Sequence, residues 1–164
     1  MKRIILIGLG ILVLASALAF IPRNTNTTGE GEGEHINWVT IEEAEELSLT
    51  TPKKVLVDMY TDWCGWCKKM DRDTYENPEV VAYINEHFYA VKFDAEQKED
   101  VTLGGRTFAF RADQGRRGVH ELAVSMMDGK MSYPTTVFFD EKLQRIAPLP
   151  GYQGAADMFA ILNF

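Results

Sequence analysis

A chain of 164 residues with 46% apolar side chains, including three Trp, six Tyr and nine Phe, is long enough for one domain with a substantial core. Its formal charge of −7 at pH 7 is spread along the length and leaves no basic stripe to neutralise phosphates, which sets nucleic acid aside as a partner. Two cysteines are too few for a disulfide scaffold, which usually needs about four or more.

Residues 1–21 differ from the rest. Lys2-Arg3 precedes an apolar run from Ile4 to Ile21 broken only by Gly8, Gly10 and Ser16, and Ala17-Leu18-Ala19 supplies small residues for a cleavage site. This pattern predicts a secretory signal, with cleavage favoured over retention as an N-terminal anchor, since the run is barely enough to span ~30 Å of hydrocarbon. The folded part is therefore expected outside the cytoplasm, periplasmic or otherwise exported. Residues 22–35 are polar and Gly-rich and read as a flexible linker, in which Asn26-Thr27-Thr28 is a sequon by composition alone. The domain is expected over 36–164.

Within it, Thr40 and Glu43 form a capping box opening a helix to Leu47 or Leu49, with Ile41, Ala44 and Leu47 on one face. Residues 54–60 suit a strand buried on both faces, followed by a cysteine-bearing helix to about Thr74. Asn77-Pro78 caps a second helix through Val80, Val81 and Ile84 to His87, and Phe88–Asp94 is the next strand, parallel to the first through a right-handed crossover. Glu96–Gly118 is expected to be a surface excursion outside the core, with a hairpin turning at Gly104-Gly105. A helix from about Val119 to Asp128 is closed by Gly129. Thr135–Asp140 and Leu143–Leu149 predict an antiparallel hairpin, and Gly151–Phe164 a short helix covering the sheet with Met158, Phe159, Ile161 and Leu162.

The chemistry concentrates at Trp63-Cys64-Gly65-Trp66-Cys67-Lys68. Cys64 at a helix N-terminus meets unpaired N–H groups and the positive end of the dipole, which favour a thiolate; it is expected to be the exposed attacker. Cys67, one turn on, is expected to be the buried resolving thiol. Lys68 is a candidate for tuning, against a merely solvated role. Zinc would need further ligands from His35, His87, His120 or carboxylates, none at companion spacing. A static bond across two intervening residues closes too small a loop to stabilise much. No metal or cofactor is expected.

Strand, Trp-Cys-x-x-Cys-Lys, helix, strand, then x-Pro-Thr before a hairpin and a final helix resembles the thioredoxin-like family over about residues 36–164, and most of all its exported bacterial members. Asp58, Trp63, Cys64, Gly65, Cys67, Lys68, Pro134, Thr135 and Gly151 carry the match. The resemblance implies an α/β thioredoxin-like fold: a central mixed sheet flanked by helices, with a surface insert before the strand that follows a cis-proline. It implies that Asp58 helps deprotonate Cys67, that Lys92 on the adjacent strand partners Asp58, and that Pro134 is cis and faces the cysteines. Tyr133 would then offer its backbone to an incoming chain, with Trp63, Gly65 and Trp66 completing the substrate surface. Trp66 stands where typical thioredoxins carry proline, which leaves the direction of electron flow open.

The leading expectation is an extracytoplasmic, monomeric protein-disulfide oxidoreductase acting on protein disulfides or dithiols, reduction favoured, with a membrane electron donor as a further partner. The alternative is a binding or chaperone-like module that keeps the fold without obligatory redox turnover.

Overall fold

The computed structural model describes residues 35–163. The leader at 1–21, the linker up to Glu34 and the Asn26 sequon lie outside the described residues. No helix among the described residues is long and apolar enough to cross a membrane.

The described residues open with a two-residue strand, β1 (Trp38–Val39), that the sequence did not announce. Helix α1 (Ile41–Thr50) starts at the expected capping box, with Thr40 Oγ1 accepting from Glu43 N and Glu43 Oε2 accepting from Thr40 N. Its inner face differs from expectation. Ile41, Ala44 and Ser48 are buried, while Leu47 is 40% exposed. Ser48 is tolerated inside because its hydroxyl donates back to the carbonyl of Ala44.

Strand β2 (Lys54–Tyr60) leads into α2 (Gly65–Asp73), which stops early and hands over through Asn77 to α3 (Pro78–His87). The Asn77 side chain accepts from the N–H groups of Glu79 and Val80, and Pro78 takes the first turn, where a missing N–H costs nothing. Strand β3 (Phe88–Asp94) follows. Next come the short strands β4 (Val101–Leu103), β5 (Arg106–Phe108), β6 (Phe110–Arg111) and β7 (Val119–His120), and helix α4 (Glu121–Met126). The hairpin β8 (Thr135–Phe139) and β9 (Arg145–Pro150) and helix α5 (Ala155–Leu162) complete the domain.

Five strands form one mixed sheet in the order β1-β3-β2-β8-β9, with β1, β3 and β2 parallel and β8 and β9 antiparallel to their neighbours. Period-two alternation sorts the side chains between two cores. Val55, Val57, Met59, Val91 and Phe93 face α1, α4 and the 96–118 segment. Leu56, Phe88 and Ala90 face the other way, toward Met70, the α3 residues Val80, Val81 and Ile84, and α5. By the same alternation Asp58 and Lys92 belong to this second face, the one that α2 covers.

The 96–118 segment is more than the surface excursion that its polar composition suggested. Val101 and Phe108, opposite one another in the β4–β5 ladder, are 4% and 7% exposed and join the core with Val119. A lone hairpin is marginal in water, and this one is held by laying an apolar face on the sheet. Glu42 and Glu45 of α1 accept from the backbone N–H groups of Thr102 and Gly104 on its outer side. Val119-His120 pairs with Phe110-Arg111, so the helix that was expected from Val119 begins only at Glu121.

Replacing Phe108 by Ala should therefore lower stability by about 3 kcal/mol, as for other buried aromatic truncations. Urea denaturation measures it; a loss below about 0.5 kcal/mol is what a surface excursion would give.

Candidate active site

Cys64 is the N-cap of α2, and Cys67 lies in its first turn. The two are joined as a disulfide with Cα atoms 5.3 Å apart. A helix start leaves its first N–H groups without intrahelical partners, and here the N–H of Cys67 points at Cys64 Sγ, 3.0 Å away. Cys64 is not the exposed residue of the pair that was expected: the two cysteines are 4% and 3% accessible in the oxidised state. The exposure belongs to their neighbours, Trp63 at 52% and Trp66 at 60%. What separates the two sulfurs is position on the helix, and it is Cys64 that receives the free N–H.

Asp58 sits in the middle of β2, hydrogen-bonded between β3 and β8 and in register with Lys92 on one side and Thr136 on the other. It is 1% exposed. Lys92 Nζ donates to Asp58 Oδ2 at 3.1 Å, and the same ammonium donates to Asp71, which lies one helical turn beyond Cys67 on α2. The Lys92 ammonium also lies 5.1 Å from the ring centres of Trp38 and Tyr60 and 5.8 Å from that of Tyr75. Asp58 Oδ1 has no hydrogen-bond partner among the described residues, and neither do the buried hydroxyls of Thr61, Tyr75 and Thr136.

Burial raises the Asp58 carboxyl from 3.8 to about 6; Lys92 opposes that shift, and the nearby Asp71 charge adds to it. Burial by itself would lower Lys92, but Asp58 and Asp71 together outweigh it and hold the ammonium above the usual lysine value. The result is a shielded carboxyl with one free oxygen, able to take up and release a proton near neutral pH.

Two aromatic walls flank the disulfide. On one side, Trp63 Nε1 donates to Glu96 Oε1 at 2.9 Å and its ring meets Tyr133 edge-on, with centres 5.9 Å apart. On the other, the Trp66 ring packs against Tyr152 at 5.5 Å, whose hydroxyl donates to Asp73 Oδ2. The Tyr133–Pro134 peptide is cis, and among the described residues neither the N–H nor the C=O of Tyr133 is hydrogen-bonded. Burial, with Glu96 and Asp94 nearby, pushes the Tyr133 phenol up to about 12. A Cβ added at Gly65 would meet nothing within 4 Å, so the space over the helix start is open.

A sequence profile described as a thioredoxin-like domain matches residues 41–164. The chain belongs to the thioredoxin-like domain family. It is 24% identical over 135 residues to the thiol:disulfide interchange protein DsbD of Salmonella typhi, and 27% identical over 108 residues to that of Escherichia coli K12. Those matches take in 79% and 58% of this chain but only 20% and 19% of the relatives, so the chain spans about a fifth of their length. Among solved structures it resembles the DsbH oxidoreductase, with a TM-score of 0.57, 20% identity and coverage of 85% of this chain and 90% of that one. It also resembles a thioredoxin from Thermus thermophilus, with a TM-score of 0.57, 17% identity and coverage of 79% and 85%. These likenesses show the thioredoxin-like fold.

Of the residues singled out in the sequence, the structure joins Asp58 to Lys92, Cys64 to Cys67 and Trp63 to Tyr133, with Gly65 and Trp66 between the cysteines and Pro134 in the cis bond after Tyr133. Lys68 stands apart, exposed and in no ion pair among the described residues. Asp71, Glu96 and Tyr152 were not anticipated. Asp71 had a usable signal, four residues after Cys67 on the same helical face; Glu96 and Tyr152 reach the site only through the fold.

The raised Asp58 carboxyl has a sign that can be checked. Between about 4 and 6 the folded state holds a proton that the unfolded chain has released, so stability falls as pH rises through this window and the full cost, at most about 3 kcal/mol, is present above it. Oxidised Asp58→Asn should be more stable than the parent by about 1–3 kcal/mol near pH 8, with the gap closing toward pH 4. Urea denaturation at the two pH values reads this directly, and a gap that does not change with pH shows that the carboxyl titrates elsewhere.

Proposed function

We propose that the protein exchanges disulfides with protein substrates outside the cytoplasm through the Cys64–Cys67 pair, and that it runs chiefly as a reductant drawing on a membrane electron donor. One observation carries this reading above the rest. The only two cysteines open a helix, Cys64 as its N-cap and Cys67 in its first turn, whose Asp71 is tied, through Lys92, to a buried carboxyl poised near neutral pH. The interchange names of the relatives and the leader-like residues 1–21 support the partner class and the location.

In the reducing direction the Cys64 thiolate attacks one sulfur of a substrate disulfide. A Cys64–substrate bond forms, and the other substrate sulfur leaves as thiolate. Cys67 then gives up its proton, with Asp58 as the acceptor, and attacks Cys64 Sγ. The second substrate thiolate leaves, the substrate has gained two electrons, and the protein holds the Cys64–Cys67 bond. An incoming chain can lie along the unbonded backbone of Tyr133, between Trp63 and Trp66 and over the open face of Gly65.

Cys67→Ser should accumulate mixed disulfides through Cys64, visible as mass additions that dithiothreitol removes. Asp58→Asn should slow release of the trapped partner by at least about tenfold and flatten its dependence on pH near 6. Absence of adducts, together with intact client binding in Cys64→Ser, would replace exchange with a binding role. Redox titration of the pair tests direction separately: a midpoint above about −150 mV would place it among oxidants.

A further inference from the structure

An open cleft of about 980 Å³ adjoins the exchange site, running from Trp63 and Tyr133 to the turn between β6 and β7. Arg116 and Arg117 stand on its far lip, both exposed. Among the described residues neither guanidinium forms an ion pair, whereas Arg111 in the same segment is engaged by Asp113 and Glu121. The one carboxylate in the cleft, Glu96, is occupied by the Trp63 indole N–H. Arg117 lies 5.7 Å from the Trp63 ring centre, so the lip reaches the residue next to Cys64.

The lip is also fixed in place. Gly118 has φ +80, and a Cβ there would fall 2.2 Å from the Phe110 ring, so the turn sits against β6 as only glycine permits. Two exposed arginines without a carboxylate partner among the described residues, on a chain of net charge −7, make a local reversal of sign beside a docking edge. Guanidinium groups pair with carboxylates in a fork that lysine cannot reproduce, and charge at an interface acts chiefly on partner choice and association rate.

We infer that this cleft seats an extended segment of the redox partner, and that Arg116 and Arg117 select partners carrying carboxylates a few residues from the reacting cysteine. The inference rests on the exchange reading and names its substrate class. An acidic partner is repelled by most of this surface and attracted at the lip, which orients its disulfide toward Cys64.

The test uses reduced full-length protein and three disulfide-linked peptide dimers. They carry glutamate, glutamine or lysine at the second and third positions on either side of a single cysteine. Oxidation of the protein is followed by its tryptophan fluorescence, and each rate is divided by that of the glutamine peptide, so that changes in the dithiol itself cancel. At low salt the glutamate peptide should exceed the lysine peptide by about tenfold or more. In R116E/R117E that ratio should fall to about one or invert, and added salt should erase it in the parent. An unchanged ratio in the charge-reversed protein, or no preference in the parent, overturns the selectivity while leaving exchange intact. Failure to reduce any of the peptides overturns exchange, and this inference with it. Oxidised glutathione supplies carboxylates without a flanking chain; if it reacts faster than the glutamate peptide, the cleft is not a peptide site.

Discussion

The ion pair between Asp58 and Lys92 sets the terms for the rest of the domain. Taking a carboxylate and an ammonium out of water costs several kcal/mol for each ion, and attraction inside the protein offsets this only when the remaining polar positions are filled. Here they are filled unevenly. Lys92 is shared between Asp58 and Asp71 and ringed by Trp38, Tyr60 and Tyr75, while Asp58 keeps an oxygen with no partner. An apolar pair in the same register would give a more stable sheet. The arrangement makes sense as chemistry, because an unsatisfied buried carboxyl is what brings a proton acceptor into the neutral range.

The two faces of the sheet divide the labour that follows. One face is ordinary core, with α1, α4 and the β4–β5 hairpin laid over Val57, Met59, Val91 and Phe93. The other carries the ion pair beneath α2, where Met70, Tyr75, Val80, Val81 and Ile84 exclude water. The early end of α2 at Thr74 bears on this division. Just beyond it Tyr75 is buried, 5% exposed, with its ring toward Lys92 and edge-on to Trp38.

Much of this was legible in the residues. The capping box at Thr40, the Asn77-Pro78 start, the apolar run 54–60 and the motif 63–68 are local signals, and each local choice agrees with the fold. The fold and the pairing of Cys64 with Cys67 followed from them and from the family resemblance. Leu47 differs from its expected place on the buried face because a helix face is set by what packs on it, and Ser48, buried instead, satisfies its hydroxyl internally. The hairpin at 101–108 looked peripheral because its polar and apolar residues alternate over strands only three residues long. Only the sheet beneath it reveals which face is inside. Glu96 and Arg117 meet Trp63 through tertiary placement, for which sequence spacing holds no signal.

The residue between Gly65 and Cys67 also has a physical consequence for electron flow. Proline there would remove a backbone N–H from the first turn of α2; Trp66 keeps it, beside the Cys67 N–H that already points at Cys64 Sγ. A donor that stabilises a Cys64 thiolate more than a disulfide sulfur favours the reduced pair and raises its potential, by ~30 mV for each 1.4 kcal/mol gained. A couple shifted in that direction would, as a reductant, pass electrons only to disulfides that are themselves easily reduced. On the exchange proposed above, that shift would favour exposed or strained bonds over structural disulfides buried in stable folds.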